Sequence, residues 1–252
     1  MSTETAQVLP VTISPMDRLY YVSREPGSRF VTKPYMLHTA LYYAFGVFPS
    51  RFRCVEQTPS YIGHRKNAGA IPYIHPATAM DEPEYETRRF SVKPDSYRSQ
   101  ADSQNENLRQ TGFQKTILPG TSYRTYAIAG TAAAADGAFD AFEERSTWYI
   151  RVGKKMTPAL VETGALTEAS IETGPFDLAQ PVSTADIDTT DVYDLVGDLE
   201  WERMYPVDLL LRGRLRGPHV RVDRQTVHHF GRQGNSGTVS LPAEAGFLHT
   251  ES

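Results

Sequence analysis

Apolar and polar positions alternate over residues 8–14 (VLPVTIS), and the β-branched side chains there predict a first strand. Pro15 breaks it, and the aromatic run that follows predicts a short second strand over 19–23. Residues 24–33 read as a loop with Pro26 and Gly27 as turn formers. The period then lengthens. Leu37, Ala40, Leu41, Ala44 and Phe45 recur on one face and predict a helix over 34–45 with that face buried. Pro34 is tolerated in the first turn, where its missing N–H would have no partner. Gly46 followed by Pro49 ends the helix.

Further along, 47–86 carries prolines at 49, 59, 72, 76 and 83 and reads as irregular. A strand is predicted over 87–93. A hairpin is predicted from 112–118 through the Pro119–Gly120 turn into 121–129. An Ala-rich helix over 131–144 and a strand over 147–152, closed by Gly153, follow. A short helix near 192–201, a strand near 207–211 and a mobile Gly- and Ser-rich tail over 231–252 complete the pattern. Residues 94–111 are polar and poor in apolar positions, and so long a loop within a compact domain is usually functional or disordered. The order of elements gives an α+β chain compatible with a ferredoxin-like βαββαβ core carrying long insertions.

Composition adds bounds. The 252 residues suit one large domain, and 40% hydrophobic content supports a core. No run of about 18 apolar residues is present, so no membrane span is expected. The first fifteen residues lack the pattern of an export signal, and the single cysteine, Cys54, forms no internal disulfide; a reducing cytoplasm is the expected location. The net charge of −4 hides a segregation. Residues 161–202 hold 11 of the 30 acids and none of the 26 bases, so the remainder of the chain is +7. Such a block reads as a solvated loop, as a surface that repels nucleic acid, or as a partner for a basic protein.

The motifs for metal, nucleotide and nucleophile chemistry are missing. His64, His75, His219, His228 and His229 have no zinc-site spacing, and neither a phosphate loop, a dinucleotide fingerprint nor a nucleophile elbow occurs. No metal, cofactor or catalytic residue is expected. One alternative stays open. A metal-independent ribonuclease needs a base near the 2′-hydroxyl and a cation near the phosphate, and His38 beside Tyr35, Tyr42 and Lys33 offers both. The other candidates are basic and aromatic. Arg24, Arg29 and Lys33 share one loop with Tyr20, Tyr21 and Phe30 beside it. Arg88, Arg89, Arg98, Arg109 and Lys115 lie in and around the long polar loop, and Arg151, Lys154 and Lys155 gather at a strand end. His64–Lys66 forms a fourth, smaller group. Such clusters neutralise phosphates while exposed rings stack on unpaired bases; each is also what a solvated face looks like.

The stretch LYYVSREPGSRFVTKPYMLHTALYYAFG at 19–46 resembles the start of the type I-D CRISPR subunit of the Cas-five superfamily, the Csc-one proteins. Ser23, Arg24, Glu25, Gly27, Thr32, His38 and Leu41 carry the match; FQKTILPGTSYRTYAIA and WYIRVGKK resemble its hairpin and late strand. Lys33 stands where the family has an acid. The resemblance implies a RAMP-type, RRM-like fold over 1–230, with a thumb-like insertion at 94–111 and an acidic insertion at 161–202. It implies a non-catalytic subunit at the foot of a Cascade surveillance complex. There it would bind the crRNA 5′ handle, cap the backbone subunits and contact a Cas-ten-like large subunit and target DNA near the PAM. The alternatives are a crRNA-processing endoribonuclease and a protein-only scaffold in which 161–202 is the interface.

Overall fold

The alternation near the start of the chain folds as one long strand, Thr5–Pro15, around which the rest is arranged. Its two faces differ. Leu9, Val11 and Ile13 enter a core with Leu41, Tyr42, Phe45, Phe139 and Phe142. Ala6 and Val8 enter a second core with Tyr126, Ile128, Val220, Val222, Val239 and Leu241. A strand buried on both faces explains why both phases of the alternation carry β-branched residues. The computed structural model describes residues 4–21, 23, 29–48, 61–92, 110–143, 145–187, 192–204, 206–223 and 238–243. Among them, strands form an 11-stranded sheet and two 3-stranded sheets.

Along one edge, Thr5–Pro15 pairs antiparallel with Tyr123–Gly130 from Ala6 to Ile13. The other edge is divided. Val11–Pro15 pairs with the strand Thr157–Thr163, and Thr5–Val8 with the start of Thr167–Asp177. Pro10 sits in the gap. Its carbonyl accepts from Gly164 N at 2.9 Å, so its nitrogen, which has no proton to donate, faces the place where the ladder is interrupted. Tyr123–Gly130 pairs on its far side, again antiparallel, with Tyr73–Ile74 and Ala77–Ala79. The first strand and these short strands therefore run parallel with Tyr123–Gly130 between them, and the helix His38–Ala44 lies on the connection. Thr147–Val152 forms the outer edge beyond Thr157–Thr163.

Several expectations are corrected. The strands at 112–118 and 121–129 exist but do not pair with each other. Gln110–Ile117 pairs antiparallel with Tyr85–Val92 and parallel with Arg29–Val31, making a separate sheet. Tyr85–Val92 and Gln110–Ile117 thus form the antiparallel pair, and residues 94–109 of the long polar segment lie outside the described residues. Of the strand expected at 19–23, only Leu19 among the described residues makes a bridge, to Ile117. The helix starts at His38 rather than 34, because Tyr35–Met36 pairs with Ala77–Thr78 and Leu37 is extended. Leu37, Leu41 and Phe45 are buried as expected, joined by His38, Thr39 and Tyr42, whereas Ala40 is exposed and Ala44 half-buried. Its end is as expected: Gly46 has φ +77°, Gly46 N donates to Tyr43 O and Val47 N to Tyr42 O, a Schellman closure. The 131–144 helix is two short helices, Thr131–Ala135 and Asp140–Glu143, separated at Gly137.

The acidic segment is no loop. It holds all of Thr167–Asp177 and short strands at Val182–Ser183, Asp194–Leu195 and Glu200–Glu202, so the helix expected near 192–201 is absent. Thr167–Asp177 continues into a ladder with Arg214–Asp223. Within the expected tail, Thr238–Pro242 pairs with Arg214–Asp223 and buries Val239 and Leu241.

Candidate nucleic-acid interface

Two of the three basic clusters adjoin through one segment, 18–21. Leu19 exchanges two backbone hydrogen bonds with Ile117, at 2.9 and 3.1 Å, which fixes the small sheet on one side. On the other side Lys154 N donates to Tyr20 O at 2.8 Å, and Thr157 Oγ1 donates to Arg18 O at 2.8 Å. Gly153 makes this approach possible. At φ +74° it adopts the left-handed conformation, and a Cβ there would lie 2.6 Å from Tyr20 O. The turn consequently brings Lys154 and Lys155 beside Tyr20, with Lys155 Nζ 5.6 Å from the ring centre. Arg151, Lys154 and Lys155 are exposed, and Arg151 Nη1 donates to Met156 O at 3.0 Å, holding the turn.

The second group is carried by the small sheet. Arg88 and Arg89 are adjacent in sequence and therefore point to opposite faces. Arg88 Nε lies 3.0 Å from Glu86 Oε2, which also takes Arg18 Nε at 2.7 Å. These hydrogen bonds, that of Arg88 first, hold the Glu86 carboxyl below its ordinary pKa. Arg89 is exposed on the other face, in register with Phe113, which is in register with Arg29. Lys115, two residues from Phe113, places Nζ 3.7 Å above the Tyr85 ring. Arg24, Arg98 and Arg109 lie outside the described residues.

Two of the expected contact residues also make contacts within the fold. The single proton of the Tyr21 hydroxyl is shared between Lys33 O, at 2.9 Å, and Tyr35 O, its backbone is tied to Thr32 Oγ1, and burial raises its pKa well above the ordinary value. Lys33 Nζ lies 3.0 Å from Glu202 Oε2, pairing the basic loop with the acidic segment. An acid at 33 would repel Glu202, so the lysine suits this contact.

The ribonuclease candidates lie inside. His38 and Asp186 are both 0% exposed, with Nε2 to Oδ2 at 3.0 Å, and Tyr73 donates to the same oxygen at 2.7 Å. The Tyr42 hydroxyl donates to Pro72 O at 2.8 Å and accepts from Ile74 N at 3.0 Å, and burial raises its pKa far above 10. Neither group reaches a substrate at the surface. His75, also fully buried, has its pKa pushed down by burial to about 4. Among the described residues no cluster of His, Cys, Asp and Glu could hold a metal ion, and no helix is long and apolar enough to cross a membrane.

Phe113 was not apparent from the sequence. It is 41% exposed, and only strand register places it between two arginines.

The family described as type I-D CRISPR-associated protein Cas5/Csc1 matches residues 6–250. No curated protein matches the chain. Solved structures similar to it include a chain of the type III-B Cmr-beta complex bound to cognate target RNA and AMPPnP. That chain shows 11% identity, coverage of 82% of this chain and 86% of that one, and a TM-score of 0.43. A CRISPR protein from Archaeoglobus fulgidus has 10% identity, 85% and 94% coverage and a TM-score of 0.37. A chain of a CRISPR RNA-guided surveillance complex has 13% identity, 82% and 90% coverage and a TM-score of 0.36.

Proposed function

Because the chain belongs to the type I-D CRISPR-associated Cas5/Csc1 family, we propose that it is a non-catalytic Cascade subunit that holds the 5′ handle of the crRNA. The fold reading that accompanies this is an RRM-like core. It is supported by the parallel pair, Thr5–Pro15 and 73–79, with the antiparallel Tyr123–Gly130 between and a helix on the connection. The observation that carries the RNA reading is the convergence on 18–21. Tyr20, Lys154 and Lys155 lie on one side and the small sheet with Arg29, Arg89 and Lys115 on the other. Lysines and arginines here neutralise backbone phosphates, while guide–target pairing carries the sequence. The remaining partners are a Cascade backbone subunit, a Cas-ten-like large subunit and target DNA near the PAM.

The endoribonuclease alternative rested on His38 and Tyr42, and their burial removes its motivation. The protein-scaffold alternative makes the segment 161–202 the interface without RNA. The test is copurification. Complexes from cells supplying the guide are compared for the wild type and for Arg29→Glu/Lys155→Glu. A loss of crRNA per complex of several-fold supports the reading. Equal RNA content with either chain rules against it.

A further inference from the structure

The small sheet presents two faces of different electrostatic character. On one, Glu86 takes up the charges of Arg18 and Arg88. On the other, residues in register or two apart along a strand share a side: Arg29, Val31, Phe113, Lys115, Thr87 and Arg89. Among the described residues that side carries three cations and no carboxylate, and neither Arg29 nor Arg89 makes an ion pair. At its centre Phe113 is 41% exposed, whereas Phe45, Phe48, Phe139, Phe142 and Phe176 are buried. A single exposed ring is ordinary by itself. A ring one strand spacing, roughly 4.8 Å, from an arginine on each side is an arrangement for a chain of planar groups joined by anions.

We propose that this face is a stacking platform for one unpaired RNA base, which lies on the Phe113 ring while Arg29 and Arg89 take the flanking phosphates. The assignment rests on the crRNA-binding reading and adds to it a position and a mode. Stacking offers no hydrogen-bond code, so the platform accepts any base and fixes where the strand is held rather than what it says. Lys115, drawn over Tyr85, supplies further positive potential along the same side. An acidic peptide would satisfy the arginines but gain nothing from a flat ring between them, so RNA is the occupant favoured.

The test uses the full chain and the guide's own 5′ repeat-derived segment, with 2-aminopurine substituted at one position at a time. With the wild type, fluorescence quenching is expected at one position. Phe113→Leu should abolish that quench and weaken binding roughly tenfold, while Phe113→Trp should preserve both. Arg29→Ala/Arg89→Ala should weaken binding and reduce the slope of log K against log salt by about 1.4, or ~0.7 per phosphate. If the wild type binds and Phe113→Leu leaves quench and affinity unchanged, the platform is wrong and the RNA-binding reading stands. If Phe113→Leu instead costs only assembly with another subunit, the face is a protein contact and the platform is overturned. If the wild type binds no RNA, both fall.

Discussion

His38 is attractive in the sequence because it is a histidine on a helix near tyrosines and a lysine. Within the fold it is a core residue whose imidazole meets Asp186, itself shared with Tyr73. Removing the imidazole leaves a buried carboxylate with one partner fewer, a change that costs more than the pair contributes. His38→Ala should lower the unfolding free energy by about 2–4 kcal/mol, read from the urea midpoint. An unchanged midpoint would mean the ring is not sealed in. His75 gives a pH signature of definite sign. Its folded pKa of about 4 lies below the ordinary 6.5, and burial, the largest cause, outweighs the opposing field of Asp186. The unfolded chain therefore binds the extra proton between these values. The stability this contributes is fully present above pH 6.5 and is lost as pH falls toward 4. The loss is about 3 kcal/mol across that window. His75→Phe should lose that much less than the wild type between pH 7.5 and 4, and identical acid limbs would contradict the assignment.

At the scale of elements, the periodic signal located strands better than it matched them. Thr147–Val152 lies where alternation placed it, and both strands flanking Pro119–Gly120 exist. The turn glycine suggested that they pair. The actual partners, Tyr85–Val92 and Thr5–Pro15, were chosen by burial and register, which local pattern does not encode. The acidic segment misled for a related reason. In Thr167–Asp177 the acids Glu168 and Glu172 are exposed while Ala169 and Ile171 pack on the second core, so its charge is that of a strand with one wet face. The basic residues were legible by type, but not Phe113, nor the pleat that separates Arg88 from Arg89. Two glycines test the element that unites the clusters. Gly46 and Gly153 have nearly the same φ, +77° and +74°, but only Gly153 abuts another segment, with Tyr20 O 2.6 Å from an added Cβ. Gly46→Ala should cost about 1 kcal/mol and leave RNA retention intact. Gly153→Ala should cost at least as much and, by displacing Tyr20 from Lys154 and Lys155, reduce RNA retention. Equal retention by both variants would separate the turn from the site.

For the whole molecule, charge is partitioned. Arg18, Arg29, Arg88, Arg89, Lys115, Lys154 and Lys155 gather around 18–21 and the small sheet, whereas Glu168, Glu172, Asp177, Asp194 and Glu200 are exposed on strands of the 161–202 segment, where Arg212 and Arg214 face Glu200 and Asp177. Lys33 with Glu202 is a direct ion pair between the two regions. A modest net charge of −4 is thus compatible with an RNA-holding surface, because affinity follows the local field and not the sum. Membership of the type I-D Cas5/Csc1 family supports a Cascade role for such a surface. The most direct measurement is nuclease protection of the crRNA 5′ handle in the purified complex, with and without charge reversal at Arg29, Arg89 and Lys155. The handle should be protected in wild-type complexes and cleaved in complexes that retain the reversed chain. Protection that is absent from the wild type, or unaltered by the reversal, would contradict the assignment of this surface to the handle.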